Sequence, residues 1–462
     1  MDLDGQQVLV VGLGASGLAA ALLCLERGAK VAVTDSRSEE QLASALAALD
    51  GRATLELGGH RPESFLHANL IVLSPGVPPL AEVDAAREAG VPVIGEIELA
   101  TRFVAGELIA ITGTNGKSTT TSLVGEMLRA SGYPVFCGGN LGPPLAAALH
   151  DEAIRSTTGK VVLELSSFQL ETVERFHAKV TALLNLSEDH LDRYPSYESY
   201  VAAKARVFER QTAADFAIVN GEVGQERCVE LAAAGQANVV TFAEADSGGA
   251  CGFITREELV LRLFDGDDVE RYPRSALALA GRHNLINALS ALLIARLAGA
   301  SQAGCLEALG TFIGLPHRME LVAEGRGVQY YNDSKATNVG SVVGSLSGFE
   351  KRIVLIAGGK DKGGDYAPLC EVVGKTCAHV VLIGQAADRI AEALLEHLGE
   401  AVPVHRAETI EAAVGHAAKL ARSGQAVVLS PACSSYDMFK NFEVRGEAFA
   451  AAARALFPTT AR

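Results

Sequence analysis

The sequence predicts an α/β fold made of three domains. Short Val/Ile/Leu segments alternate with longer Ala/Leu-rich segments along all 462 residues, and this alternation is typical of parallel strands covered by helices. In three places an apolar segment runs directly into a Gly-containing turn: Val8–Gly17, Leu108–Ser118 and Ile353–Gly364. Each place begins a new series of strands and helices, so we expect one sheet in each of three domains.

The domain boundaries are predicted where this alternation breaks. The first lies near Ile94–Leu99, and the second lies at the Gly/Pro break 314–316, after a helical stretch over 284–310. Residues 221–275 are charged and interrupted by Gly, which predicts a small group of strands without a catalytic cluster. The predicted domains are residues 1–97, 98–314 and 315–462.

Composition indicates a reduced, cytoplasmic protein. The net charge of −15 disfavours nucleic acid as a partner, because a phosphate backbone requires a basic face. None of the eight cysteines lies in a C-x-x-C pair, so we expect neither a zinc site nor a disulfide framework. The uncharged run from Val8 to Leu25 contains three glycines and follows an acidic start. We therefore predict neither a signal peptide nor a membrane span.

The first Gly turn reads G-x-G-x-x-G through Gly12, Gly14 and Gly17, and the next strand, Lys30–Thr34, ends at Asp35. This pattern is typical of a Rossmann-like domain, in which the acidic residue accepts a hydrogen bond from a nucleoside. A nicotinamide-dependent enzyme or regulator is the usual interpretation. Because the next Gly turn has no use in such a protein, we expect a different phosphate-bearing molecule in this domain.

The second Gly turn, Ala-Ile-Thr-Gly-Thr-Asn-Gly-Lys-Ser-Thr-Thr at 110–120, predicts a polyphosphate cradle. A triphosphate needs backbone N–H groups without side chains in the way, a cation and a Mg²⁺-binding hydroxyl, and Gly113, Gly116, Lys117 and Ser118 supply these. The first Gly of the full P-loop pattern is replaced by Ile111, so a shortened variant is implied. An ordinary strand-to-helix turn is the alternative. We predict a central P-loop ATPase-like parallel sheet that uses ATP.

Acidic side chains follow two further strands. Glu164 lies in the strand Val161–Leu165, and the strand that ends at Asn185 is followed by Glu188, Asp189 and His190. Oxygen ligands and an imidazole at strand ends suit Mg²⁺ beside phosphates, because Mg²⁺ takes few protein ligands plus phosphate oxygens and water. A lone histidine is more often structural, but within this cluster we interpret His190 as a metal ligand.

The longer motifs resemble those of the Mur ligases, the ATP-dependent amide ligases of peptidoglycan precursor synthesis. The resemblance is strongest to the members that add D-glutamate, notably through Ser430–Phe442. It implies a Rossmann-like C-terminal domain that binds the incoming amino acid and an N-terminal domain that binds a uridine nucleotide. The motifs span almost the whole chain in order: 113–118, 138–142, 164–171, 188–193, 281–287, 316–318, 332–338 and 430–442.

The resemblance also implies two Mg²⁺ ions. Ser118 would hold one, and Glu164, His190 and Lys204 the other, with Lys204 matching a lysine that CO₂ carbamylates in the family. The carbamate replaces a repelling cation by a carboxylate; without the resemblance, Lys204 would be interpreted as a solvated helix charge. Asn140 matches a position next to substrate and nucleotide. The expected catalytic residues are Lys117, Asn140, Glu164, His190 and Lys204. The expected ATP-binding residues are Gly113, Thr114, Asn115, Gly116, Lys117, Ser118, Thr119, Asn287, Arg318, Asp333 and Lys335.

The other implied substrates are UDP-N-acetylmuramoyl-L-alanine and D-glutamate. Either Lys360 or Lys362 could hold a D-glutamate carboxylate, because the two lysines differ slightly in spacing from the family pattern. Tyr436 stands where a smaller apolar residue is expected. The positions that match the uridine-nucleotide contacts are Ala15, Ser16, Asp35, Ser36, Arg37, Ser74 and Gly76. The positions that match the D-glutamate contacts are Thr337, Lys362, Ser435 and Phe442.

The implied reaction is phosphoryl transfer followed by acyl transfer. ATP would phosphorylate the substrate carboxylate, and the amine of D-glutamate would then displace phosphate from the acyl phosphate. Two alternatives stay open: a related ligase such as folylpolyglutamate synthase, and an NAD- or nucleotide-binding regulator. We expect a monomer that binds small molecules, without a nucleic-acid or membrane partner.

Overall fold

The computed structural model describes residues 1–191, 193–246, 249–263, 269–279, 281–346, 349, 352–361, 363 and 365–457. Within these ranges the strands form three sheets of mostly parallel strands, with helices between them. The predicted α/β class with three sheets is therefore confirmed.

The first sheet has the strand order β3-β2-β1-β4-β5, and every pair is parallel. Strands β1, β2 and β3 follow one another towards one edge of the sheet. The next strand, β4, pairs with the other side of β1. The crevice between β1 and β4 is the place where such sheets bind nucleotides. The strands are β1 (Gln7–Val11), β2 (Lys30–Asp35), β3 (Thr54–Leu57), β4 (Leu70–Leu73) and β5 (Val93–Gly95). The helices are α1 (Ala15–Glu26), α2 (Ala43–Leu49), α3 (Pro62–His67), α4 (Ala81–Glu88) and α5 (Glu96–Thr101).

The second sheet has nine strands in the order β14-β13-β12-β11-β10-β9-β6-β8-β7. Strands β6 to β11 are parallel and near-continuously apolar, as expected for a sheet buried on both faces. The last strands, β12 to β14, pair antiparallel. The strands are β6 (Glu107–Thr112), β7 (Val135–Gly139), β8 (Lys160–Glu164), β9 (Val180–Leu183), β10 (Phe216–Asn220), β11 (Asn238–Phe242), β12 (Gly252–Ile254), β13 (Glu258–Leu261) and β14 (Glu270–Pro273).

The helices that follow these strands differ in two places from the sequence prediction. The predicted group of strands in 221–275 is present as β11 to β14, but an unpredicted helix, α10, precedes it. The helical stretch 284–310 is two helices, separated by a turn at Gly299, where φ is +99°. The helices are α6 (Lys117–Ala130), α7 (Glu152–Arg155), α8 (Ser167–Leu170), α9 (Tyr197–Ala205), α10 (Glu226–Ala233), α11 (Arg282–Leu297) and α12 (Gln302–Thr311).

The third sheet has the order β15-β16-β20-β17-β18-β19, parallel except for the β15–β16 hairpin. Each face of this sheet carries its own apolar core. The strands are β15 (Glu320–Gly325), β16 (Val328–Asn332), β17 (Ile353–Gly358), β18 (Cys377–Ile383), β19 (Val404–Arg406) and β20 (Ala426–Leu429). The helices are α13 (Val339–Leu346), α14 (Ala367–Thr376), α15 (Ala387–Leu398), α16 (Ile410–Leu420) and α17 (Phe442–Ala455).

The chain divides into two compact units. The first contains Met1–Leu186, Glu198–Ala276 and Ala288–Thr311, and it includes the first two sheets. The second contains Ser187–Tyr197, Leu277–Asn287 and Phe312–Arg462, and it includes the third sheet. The boundaries between three domains at 97/98 and 314/315 stay predictions. Within the described ranges, no helix is long and apolar enough to span a membrane.

Candidate functional site

The second Gly turn, residues 113–116, is called the phosphate loop below. It lies between β6 and α6, as the sequence predicts. Gly113 has φ of +146° and Gly116 has φ of +82°, a region that favours glycine. A Cβ at Gly113 would also lie 3.1 Å from the Cβ of Leu184. Helix α6 then begins at Lys117. The loop therefore presents backbone N–H groups at a helix N-terminus, the arrangement that binds phosphate.

Side chains from neighbouring elements fix this loop. The backbone N–H of Asn115 donates to Oδ1 of Asn185 at 2.8 Å, and Nδ2 of Asn185 donates back to the Asn115 carbonyl at 3.0 Å. The hydroxyls of Thr114 and Tyr200 lie 3.0 Å apart. Because Asn185 follows β9 and Tyr200 belongs to α9, the loop conformation depends on both elements.

Two lysines meet at one carbonyl of the loop. Nζ of Lys117 donates to the Gly113 carbonyl at 2.9 Å and to the Thr114 carbonyl at 2.8 Å. Nζ of Lys204 donates to the same Gly113 carbonyl at 2.9 Å, and it lies 4.7 Å from the ring centroid of Tyr200. Lys204 is only 2% exposed. The interpretation of Lys204 as a solvated helix charge is therefore wrong.

Glu164 and Asn140 are brought together at the ends of neighbouring strands. Glu164 ends β8 and is 1% exposed. Nδ2 of Asn140 donates to Oε1 of Glu164 at 2.6 Å, and the Asn140 backbone N–H donates to the Glu164 carbonyl at 2.8 Å. This approach requires glycine at 139, where φ is +97° and a Cβ would lie 2.5 Å from the Glu164 carbonyl oxygen. Glu164 is thus a positioned carboxylate.

The donor groups in the first unit suit a metal ion held largely by phosphate oxygens. Glu164 pairs in register with Ile111 of β6, the strand that leads into the phosphate loop. The hydroxyl-bearing Ser118 and Thr119 lie in the first turn of α6 and are 2% and 6% exposed. Across the described part of the chain, no three His, Cys, Asp or Glu side chains cluster as a metal site would require. A Mg²⁺ ion with few protein ligands remains compatible with these groups.

In the first sheet, the Gly turn packs β1 against α1. Gly12 has φ of +85°, and a Cβ at Gly17 would lie 1.8 Å from the Gly12 carbonyl oxygen. The hydroxyl of Ser74, just after β4, donates to the same carbonyl at 2.8 Å. Ala15 and Ser16 form the first turn of α1. These positions therefore lie together at the crevice between β1 and β4.

Asp35 is already engaged by protein donors. Its carboxylate accepts the backbone N–H of Leu13 at 2.7 Å and two guanidinium hydrogen bonds from Arg37, at 2.7 and 3.0 Å. Burial alone would raise the pKa of Asp35, but the hydrogen bonds from Arg37 and Leu13 outweigh burial and hold the pKa at about 2. The predicted direct contact to a nucleoside stays untested; here Asp35 orients Arg37. The neighbouring Ser36 and Gly76 are exposed.

The second unit contains the remaining predicted ATP positions. Asp333 is 4% exposed, and it accepts from the Ser430 hydroxyl at 2.7 Å. Burial raises the pKa of Asp333 to about 6, against opposing hydrogen bonds from Ser430 and other groups. Nζ of Lys335 lies 3.8 Å from the ring centroid of Phe442. Arg318 lies close enough to act electrostatically on Asp333, and Nδ2 of Asn287 donates to Oδ1 of Asn284 at 3.4 Å.

Two loops of the second unit are joined by a residue that the sequence analysis missed. Arg445 of α17 is 1% exposed, and it donates to the Ser334 hydroxyl and carbonyl, at 3.0 and 2.8 Å, and to the Cys433 carbonyl at 3.1 Å. Burial lowers the pKa of Arg445 to about 10. The predicted D-glutamate positions Thr337, Ser435 and Phe442 lie on or next to the segments that Arg445 holds. Lys362 lies outside the described residues.

His190 lines a cavity of about 350 Å³ in the second unit. Its φ is +56°, and its Nε2 lies 3.6 Å from Oδ2 of Asp189. Nδ2 of Asn338 donates to the same oxygen at 3.0 Å. Glu164 and Lys204 belong to the first unit. The predicted metal set of Glu164, His190 and Lys204 therefore stays a prediction.

Comparisons with known proteins cover almost the whole chain. A UDP-N-acetylmuramoylalanine--D-glutamate ligase from Geotalea daltonii is 47% identical over 99% of both chains. A ligase of the same name from Pelobacter propionicus is 46% identical over 99% of this chain and 100% of the relative. The chain belongs to the Mur ligase family. Family models match this Mur ligase at 6–95 (Mur ligase MurD-like, N-terminal domain), 111–295 (Mur ligase middle domain) and 317–433 (Mur ligase, glutamate ligase domain).

Solved structures share the fold of this Mur ligase. The crystal structure of UDP-N-acetylmuramate-alanine ligase MurC from Thermotoga maritima matches with a TM-score of 0.61 at 21% identity, over 98% of this chain and all of that chain. A folylpolyglutamate synthase from Mycobacterium tuberculosis, solved with ADP and AMPPCP, matches with a TM-score of 0.58 at 16% identity, over 79% and 94% of the two chains. These likenesses support the fold alone.

Proposed function

We propose that this Mur ligase joins D-glutamate to UDP-N-acetylmuramoyl-L-alanine with ATP, in peptidoglycan precursor synthesis. The identity of about 46% to ligases of that name over the full chain carries the proposal. The match of residues 6–95 to a MurD-like N-terminal domain favours a uridine nucleotide over the folate and NAD alternatives. On the same grounds we propose a cytoplasmic monomer.

The phosphate loop is proposed to bind ATP through its backbone N–H groups, with Lys117 neutralising the β and γ oxygens. In the structure Lys117 donates to the loop carbonyls of Gly113 and Thr114, and its ammonium group has three N–H donors with which to bind these carbonyls and a phosphate oxygen. Asn287, Arg318, Asp333 and Lys335 are proposed to complete the nucleotide site. Asp333 and its neighbours Asn332 and Ser334 are buried, which supports a fixed position for Asp333 in this role.

Ser118 is proposed to hold one Mg²⁺ ion beside the phosphates, which would supply positive charge to the transferring phosphoryl group. Glu164, His190 and a carbamylated Lys204 are proposed to hold a second Mg²⁺ ion. An unmodified ammonium at Lys204 would repel a cation, so the modification is required for that role. The amide of Asn140, oriented by its contact to Glu164, is proposed to position the substrate carboxylate.

The proposed chemistry has two steps. An oxygen of the alanyl carboxylate attacks the γ-phosphorus of ATP, and ADP leaves. The amine of D-glutamate, after losing a proton, attacks the acyl carbon, and phosphate leaves with one oxygen of the original carboxylate. Phosphorylation is needed because a carboxylate would otherwise have to expel oxide. The protein contributes position and charge neutralisation.

D-Glutamate is proposed to bind at Thr337, Ser435, Phe442 and one of Lys360 and Lys362. The test measures phosphate release from ATP with Mg²⁺ and UDP-N-acetylmuramoyl-L-alanine, and it compares D-glutamate, L-glutamate, L-lysine, L-alanine and no amino acid. We expect release that requires D-glutamate. Release with another amino acid would reject the proposed selectivity, and no release under any combination would reject the ligase activity.

A further inference from the structure

A buried carboxylate outside the three Gly turns joins the first sheet to the second. Glu98 lies in α5, directly after the last strand of the first sheet, and its side chain is 0% exposed. Its Oε2 accepts hydrogen bonds from three consecutive backbone N–H groups, those of Glu174, Arg175 and Phe176, at 2.9, 3.0 and 3.0 Å. Three convergent N–H groups form a concave anion site, and here a protein carboxylate fills it.

The other oxygen of Glu98 is held by a guanidinium. Nε and Nη2 of Arg102 lie 2.9 and 2.8 Å from Oε1 of Glu98. Arg102 also approaches Glu174, whose side chain is 49% exposed, at 3.3 Å. Charge-assisted bonds from both sides are among the strongest hydrogen bonds in proteins. Glu98 is therefore fixed in one position.

The segment that Glu98 holds, residues 171–176, connects the elements of the proposed catalytic site. It follows α8, which begins three residues after Glu164. Arg206, two residues after Lys204, donates to the carbonyls of Glu171 and Val173. The Gly95 N–H, at the end of β5, donates to the carbonyl of residue 172 at 3.2 Å. The segment thus contacts the first sheet on one side and the elements of Glu164 and Lys204 on the other.

We propose that Glu98 is a positioning residue that sets the distance between the uridine-nucleotide site and the site of phosphoryl transfer. The inference rests on the proposed function. UDP alone needs only the first sheet, and ATP needs the loop after β6, but UDP-N-acetylmuramoyl-L-alanine must reach from one to the other. A shift between the two sheets would therefore weaken the binding of UDP-N-acetylmuramoyl-L-alanine. The binding of UDP alone and of ATP alone would stay the same.

The test compares three ligands in Glu98→Gln, which keeps the size of the side chain and removes its charge. We expect the KM for UDP-N-acetylmuramoyl-L-alanine to rise at least tenfold. The Kd of UDP and the Kd of a non-hydrolysable ATP analogue should each stay within twofold of wild type. A loss of folded enzyme alone would lower kcat and leave every KM and Kd unchanged, so this comparison separates positioning from stability.

Glu174→Gln is the matched control. It removes the other carboxylate near Arg102, is exposed, and does not touch the three N–H groups through its side chain. We expect wild-type constants for all three ligands. If Glu98→Gln does not fold, Glu98→Asp, which keeps the charge but shortens the side chain, is compared in the same way.

The proposal fails if the full substrate is bound by the Glu98 variant as tightly as by wild type, or if all three ligands weaken by the same factor. An active wild type with an unaffected Glu98 variant would reject this inference alone. A wild type without D-glutamate-dependent phosphate release would reject the proposed function, and the inference with it.

Discussion

The Gly113 carbonyl accepts a hydrogen bond from Nζ of both Lys117 and Lys204, at 2.9 Å each. Two lysines of different helices therefore contact the same carbonyl of the phosphate loop. Only Lys117 lies at the N-terminus of α6, where a triphosphate would bind. The two side chains are close in space but differ in their proposed roles.

Lys117→Ala should lower D-glutamate-dependent phosphate release about 10²- to 10³-fold, because one group that neutralises the transferring phosphoryl is lost. Initial rates at saturating substrates measure this loss. Lys419→Ala, which removes an exposed lysine of α16, should keep the wild-type rate. A Lys117 variant with more than half the wild-type kcat would contradict the role.

Glu96 gives a prediction about pH. Burial raises its pKa from 4.5 to about 7, although the Ala146 N–H donates to its Oε1 at 2.6 Å. Between these pH values the folded protein binds more protons than the unfolded chain, so the free energy of unfolding falls as pH rises from about 4.5 to 7. The cost above pH 7 is at most about 3 kcal/mol.

Glu96→Gln should therefore be more stable than wild type at pH 8, with a difference that shrinks towards pH 5. Denaturant unfolding at both pH values measures the difference. Glu88→Gln, on the exposed side of α4, should show no such dependence. A Glu96 variant that is equally destabilised at both pH values would show that ionisation of Glu96 does not cause the predicted loss of stability.

At the scale of elements, the packing of α1 on β1 depends on Gly17. A Cβ there would lie 1.8 Å from the Gly12 carbonyl oxygen, whereas a Cβ at Gly14 would have no atom of the described residues within 4 Å apart from its chain neighbours. Gly17→Ala should thus destabilise the first sheet by about 2–4 kcal/mol or weaken UDP binding at least tenfold, since overpacking forces backbone shifts. Gly14→Ala should keep the stability of wild type. Thermal unfolding and UDP titration of both variants measure these effects. Equal unfolding temperatures and equal UDP affinities of the two variants would contradict a special packing role of Gly17.

Helix α17 is tied to two loops by Arg445. Arg445→Met would leave the buried Ser334 and Cys433 carbonyls without their donor, and each such loss costs about 1–3 kcal/mol. We expect a lower unfolding temperature and a higher KM for D-glutamate, and also a higher KM for ATP, because Ser334 lies between the proposed ATP-binding residues Asp333 and Lys335. Arg454→Met, an exposed residue of the same helix, is the control. An unchanged KM for D-glutamate would separate Arg445 from the amino-acid site.

At the scale of the molecule, the sheets and the phosphate loop followed from local sequence. Apolar strands, Gly turns and the helix start at Lys117 depend on residues within about ten positions of one another, so periodicity and turn chemistry predict them. Helix α10 was missed because it has only eight residues and lies in a charged stretch that was assigned to strands, and only Cys228 and Ala232 of this helix are buried.

The rest of the candidate site depends on contacts between distant segments. From the sequence alone, Glu98 is an ordinary acidic residue of a helix and Arg445 an ordinary basic one. Their roles follow only from contacts with residues 174–176 and with the loops at Ser334 and Cys433. The hydrogen bond from Lys204 to the Gly113 carbonyl likewise joins residues that are 91 positions apart. Such pairings are tertiary, so no local pattern predicted them.

Isotope transfer tests the two-step reaction most directly. UDP-N-acetylmuramoyl-L-alanine labelled with ¹⁸O in its carboxylate is incubated with ATP, Mg²⁺ and D-glutamate, and the released phosphate is analysed by mass spectrometry. We expect one ¹⁸O atom in each released phosphate, and no release without D-glutamate. Unlabelled phosphate would mean that water, not the carboxylate, attacks ATP, and it would contradict the proposed ligase.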